Sequence, residues 1–230
     1  MRWIVAISLV GTLTAGLWLG VPARGQHVPA LGYTRVIEAQ RSADFKWEDA
    51  KKGTVKGSLA FSARRAQAPI VVFMQREGGD GKFSVPPALK VSQVGARFNP
   101  NFAVLVRGQK ARFLNDEKKE IAHNVYFLGA VEVDLGIFDK GEEAEHEFAA
   151  AGEVSVHCSI HKNMDGKFFI APSPAYARVE AAAESFEIKD VPAGKYKLKT
   201  WQRQKRFKDV EIDVTIEAGK EADVAVNMTR

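Results

Sequence analysis

The 230-residue chain has one cysteine, Cys158, so no disulfide within the chain can staple the fold. It also lacks blocks of like charge: 33 Lys and Arg are interspersed with 28 Asp and Glu, for a formal charge of +5. That distribution carries no nucleic-acid footprint. After residue 52 no stretch sustains a helical apolar stripe; Glu142 to Ala151 comes nearest but is Gly-bounded and charged. What is present is ordinary for a folded protein. Hydrophobic residues make up 46% and charged residues 27%, which excludes a disordered, collagen-like or polytopic membrane chain. The length allows one large or two small domains at roughly 100–200 residues each.

The first 25 residues stand apart. Arg2 precedes an uncharged, mostly apolar run from Trp3 to Leu19, and Ala23-Arg24-Gly25 places small residues at a cleavage position before Gln26. This reads as a secretory signal peptide, with an uncleaved anchor as the other reading. Removal leaves 205 residues with a formal charge of +3, an export to the periplasm and no membrane span. In an oxidising compartment a lone thiol must be buried, paired between chains or bound to something.

Residues 26–52, with Val36-Ile37 and Phe45-Lys46-Trp47 spaced among charges, read as an N-terminal arm with a short helix. From Gly53 the period becomes two, and β-branched and aromatic runs are separated by turns such as Gly78-Gly79-Asp80-Gly81 and Pro86-Pro87. These runs include Ile70-Val71-Val72-Phe73, Val104-Leu105-Val106, Val125-Tyr126-Phe127, Val131-Glu132-Val133 and Val154 to Ile160. The chain is therefore predicted to be all-β. Beyond Ala171-Pro172-Ser173-Pro174, Val210, Ile212, Val214 and Ile216 alternate with polar residues, a half-buried antiparallel strand. That last unit has too few strands for a sandwich and is expected to borrow others.

The chemistry concentrates around the lone cysteine. Alternate residues share a strand face, so Val154, Val156, Cys158 and Ile160 are read as one inward face while Ser155, His157 and Ser159 point away. A turn through His161-Lys162-Asn163-Met164 folds His161 and Met164 back toward the sulfur. Upstream, Ile121, His123, Val125 and Phe127 form another inward face. Two imidazoles, a thiolate and a thioether are a soft donor set that suits copper in a trigonal electron-transfer site; zinc would favour a second thiolate or a carboxylate. An inert core thiol and a Cys-His nucleophile are the competing readings, the latter without a third group to orient it. His27 and His146 sit in terminal or polar contexts and are expected to be solvated. Phe98, Phe102, Phe113, Phe127 and Phe138 are expected in the core. Arg203-Gln204-Lys205-Arg206 reads as a solvated basic turn in preference to a docking patch.

The segments His123-Asn124-Val125-Tyr126-Phe127 and Cys158-Ser159-Ile160-His161-Lys162-Asn163-Met164 resemble the cupredoxin family, with the short ligand loop of amicyanins in place of the longer one of plastocyanins. The likeness spans about residues 88–172, and the run entering Cys158 is also similar to exported proteins labelled methylamine utilisation proteins. The resemblance implies His123, Cys158 and His161 as equatorial ligands, Met164 as the axial one, and Asn124 as a hydrogen-bonded brace between the His123 strand and the Cys158 loop. Lys162 departs from the pattern, since amicyanins usually carry Pro there. Gly53 to Phe73 and Ser185 to Met228 resemble the carboxypeptidase regulatory-like module, a small transthyretin-like β-sandwich. The domain reading is thus 53–85 plus 173–230 for that discontinuous sandwich, with a cupredoxin Greek-key β-sandwich at 86–172.

These features predict an exported type-1 copper protein with one copper per chain. It would carry single electrons between redox partners, with a c-type cytochrome or an amine dehydrogenase implied by the resemblance. A copper carrier or buffer, and a cell-envelope interaction module, are the alternatives. No enzyme activity is expected, because a nitrite-reductase-like second copper would need clustered histidines and only His27, His146 and His157 remain.

Overall fold

The computed structural model describes residues 45–62, 68–181 and 183–230; the signal-peptide reading and His27 lie outside them. The described residues contain strands, turns and no helix. In chain order the strands are β1 (Lys52–Phe61), β2 (Ile70–Arg76), β3 (Leu89–Gln93), β4 (Phe98–Asn99), β5 (Phe102–Val106), β6 (Lys110–Asn115), β7 (His123–Gly129) and β8 (Val133–Phe138). They continue with β9 (Glu143–Glu147), β10 (Gly152–His157), β11 (Asp165–Ala171), β12 (Tyr176–Val179), β13 (Ser185–Pro192), β14 (Gly194–Gln202), β15 (Glu211–Ile216) and β16 (Glu221–Met228).

Four sheets make two sandwiches. Sheet β13-β1-β16 faces sheet β12-β2-β14-β15 across a core that includes Val55, Leu59, Val72, Met74, Leu198 and Val226. β1 is the central strand of its sheet, antiparallel to β13 and parallel to β16. Its inner face explains Gly57: a Cβ there would lie 2.1 Å from Cζ of Phe186, whose ring packs over the glycine. Apolar alternation along β15 and β16 buries Val214, Ile216, Val226 and Met228 and leaves Thr215 and Asn227 between them in solvent.

The other sandwich sets sheet β5-β11-β10-β7-β8 against sheet β4-β3-β6-β9, around Val91, Phe113, Val125, Phe127, Val156 and Phe168. A third cluster joins the two sandwiches. Val71, Phe102, Phe169, Ala171 and Trp201 pack together, with Trp201 stacked at 5.0 Å on Phe169 and 6.1 Å on Phe102. Trp201 Nε1–H also donates to Glu153 Oε2 at 2.9 Å, and Lys167 pairs with the same carboxylate.

Several expectations shift. Of the arm, residues 26–44 lie outside the described residues; around Trp47 the chain forms a turn, with Trp47 buried in the first core and Lys46 bridging to Lys82. Val131 and Glu132 lie in the connection between β7 and β8, not in a strand. Glu143–Glu147 is an edge strand whose acidic side chains meet Lys110 and Arg112 on β6. Phe102 is buried in the cluster between the sandwiches, whereas Phe98, Phe113, Phe127 and Phe138 are in the second core.

Candidate metal centre

β7 delivers His123 at its first position, fully buried. β10 ends at His157, and Cys158 follows at the start of the connection to β11, 5% exposed. That connection is tight. Cys158 N–H donates to Met164 O at 3.1 Å, and Met164 N–H donates to His161 O at 3.0 Å, so the chain curls back and presents His161 beside the sulfur.

Three donor atoms converge. His123, Cys158 and His161 each offer one ligand atom, and all three atoms lie within 4.8 Å of one another. Nδ1 of His123 is 3.2 Å from Nδ1 of His161, which is 3.8 Å from Cys158 Sγ. A planar trigonal ion with bonds of about 2.0–2.3 Å would have donor edges of about 3.5–3.8 Å; two edges lie near that range and the third is within 4.8 Å, so the donor set suits such an ion once that third edge closes. Met164 is buried in the same apolar cluster as Cys158. His161 alone of the three is half-buried, with Ile160, Lys162 and Asn163 exposed around it.

Asn124 links the parts. Its Oδ1 accepts from Ser159 N–H at 3.1 Å, and its Nδ2 donates to Asp134 Oδ1 at 2.8 Å and to Gly136 O at 3.0 Å. Its backbone N–H points at Cys158 Sγ at 3.3 Å. The buried carboxamide thereby spans β7, β8 and the Cys158 loop with every polar atom used.

Glu117 belongs to the centre as well, and the sequence reading passed over it. Its Oε1 lies 3.1 Å from Nε2 of His123, and accepts from Gly95 N–H at 2.6 Å and Ala96 N–H at 3.3 Å. Only 10% of the side chain is exposed. Burial by itself raises the Glu117 pKa, but the His123 imidazole and the two amides outweigh it and hold the carboxyl below its ordinary range. An ionised carboxylate can only accept, so Nε2–H of His123 donates to it and Nδ1 faces Nδ1 of His161. The signal was there in an acidic residue six positions before His123, camouflaged in the charged run Asp116 to Glu120.

The remaining histidines lie apart. His157 is half-buried and stacks on Tyr126 at 5.3 Å, on the opposite face of the sheet from the cluster. His146 is not solvated as expected: its ring sits 5.1 Å from Phe127 and 5.0 Å from Phe148, with Nε2 buried and without a hydrogen-bond partner. Burial lowers its pKa from the ordinary value, with Glu147 opposing.

No family model and no curated protein matches the chain. Among solved structures it is similar in part to a purple cupredoxin from Nitrosopumilus maritimus, at 18% identity over 36% of this chain and 99% of that one, with a TM-score of 0.32. An oxidised mutant of amicyanin is 21% identical over 36% of this chain and 81% of its own, with a TM-score of 0.33. A Cu-containing nitrite reductase from Thermus scotoductus is 19% identical, TM-score 0.35, and the match covers 49% of this chain and 28% of that one.

Proposed function

We propose that the protein is an exported type-1 copper protein that carries single electrons between periplasmic redox partners, with one copper per chain. The convergence of His123 Nδ1, His161 Nδ1 and Cys158 Sγ carries this reading. When bound, copper supplies the one-electron couple. The chain's own residues supply rigidity. Glu117 fixes the tautomer and ring plane of His123, Asn124 ties the Cys158 loop to β7, and the surrounding core holds the donor set in one arrangement. In this reading Met164, buried in the same apolar cluster as Cys158, would help hold the ion with its thioether. Rigid donors make little rearrangement necessary when the charge on the centre changes by one. The half-buried edge of His161 is then the point of electron entry and exit, and a partner docks over Ile160 and Lys162. The partner classes are a c-type cytochrome or an amine-oxidising dehydrogenase.

The organisation we propose with it is a cupredoxin sandwich at 86–172 inserted into a discontinuous carboxypeptidase regulatory-like sandwich at 53–85 plus 173–230. The pairing of β1 with β13 and β16 supports it. Export rests on the apolar N-terminal segment of the sequence. Adding Cu(II) to the chain without residues 1–25 is expected to give an intense red-absorbing thiolate band, and Cys158→Ser is expected to abolish it. A colourless protein that takes only Cu(I) would make it a carrier instead, and binding of neither ion would overturn the copper reading.

A further inference from the structure

We propose that the open cleft where the two sandwiches meet is a binding site for a small carboxylate- or phosphate-bearing molecule. The cleft measures about 530 Å³ and is lined by Arg97, Asn99, Asn101 and Arg178 over a partly apolar floor that includes Phe102. This volume lies within the range of small-molecule pockets, which favour such junctions.

Cationic groups reach it from three separate segments. Arg97 is exposed and has no side-chain partner among the described residues. Arg178 holds its guanidinium 5.0 Å over the Phe102 ring while its Nε–H donates to Glu180 at 2.9 Å. Arg203, from the basic turn 203–206, donates from Nη1 to Asn101 Oδ1 at 3.4 Å, which brings its charge to the rim. Glu180 is the one carboxylate paired with these three arginines among the described residues, so the guanidiniums outnumber it. Guanidinium forks match the two oxygens of a carboxylate or phosphate, and such charge-assisted bonds are the stronger class. The aromatic floor holds Arg178 in place and so lowers the entropy lost on binding. The basic turn is, on this proposal, one wall of a site and not a solvated loop.

The test is calorimetric titration of the chain without residues 1–25, using citrate and, separately, inorganic phosphate at about 150 mM salt, where diffuse surface attraction is screened. Saturable binding of one equivalent of either anion is expected, and the tighter of the two identifies which source of the shared chemistry fits. Arg97→Gln is expected to weaken it by about tenfold or more. Arg203→Gln should weaken it too, whereas Lys118→Gln, outside the cleft, should not; melting temperatures verify that each variant folds. Absence of saturable binding for both anions, or binding unchanged in Arg97→Gln and Arg203→Gln, would overturn the proposal.

Discussion

At the residue scale, the proposed centre is braced by groups outside its donor set, Glu117 and Asn124. Glu117→Gln keeps the shape of the side chain but removes the charge that holds Nε2 of His123 protonated. Loss of such a partner is expected to weaken Cu(II) retention about 10- to 100-fold, measured by chelator competition. His146 offers a separate, pH-dependent readout. Its folded-state pKa is depressed, so the unfolded chain binds the extra proton first, and stability is lost as pH falls from the ordinary value of 6.5 toward the folded one. The natural protein should therefore lose more melting temperature than His146→Phe between about pH 7.5 and about pH 5.5. Glu117, also depressed, acts in a lower window, below its ordinary 4.5, which keeps the two effects apart. A parallel loss in both proteins would contradict the assignment. The inward direction of His146 was written in its alternation with Ala144 and Phe148, but the charges on Glu143, Glu145 and Glu147 masked it.

Strands with one apolar face announced themselves. Val154 and Val156 leading to Cys158, and Val125 and Phe127 following His123, put two donors, Cys158 and His123, on inward faces. Edge strands did not. β9 alternates Glu with Ala and His, and its stability as a strand comes from pairing with β6, whose Lys110 and Arg112 lie across from its acids. Glu117 was opaque for a related reason: its contact depends on the Gly95-Ala96 corner, and Ala96 adopts a φ of 54° that no local pattern foretells. Gly57 in β1 is a stringent element-level test. With the Phe186 ring occupying the Cβ position, Gly57→Ala should cost about 1–3 kcal/mol in urea unfolding, although alanine is otherwise the better residue in regular structure. An unchanged midpoint would mean that the ring moves aside freely.

For the whole molecule, the decisive contact is Trp201. It is nearly buried, stacks on Phe102 and Phe169 from the opposite sandwich, and donates to Glu153 on β10. Trp201→Ala is expected to cost about 3–5 kcal/mol and to split thermal unfolding into two calorimetric transitions, one per sandwich. A single transition at an unaltered temperature would show that the sandwiches stay coupled without Trp201. How the sandwiches meet was not legible in the sequence, because an aromatic such as Phe102 looks the same whether it packs within a sheet pair or between two.

The parallel pairing of β1 with β16 also dictates an order of events during synthesis. Strands β3 to β11 find all their neighbours among themselves, so that part of the chain can close as soon as Ala171 has emerged. Lys52–Phe61 must wait, without its parallel neighbour, until the final stretch ending at Met228 arrives. A ribosome stalled before that point would release a nascent protein whose cysteine pocket is finished while Lys52–Phe61 has β13 on one edge and nothing on the other.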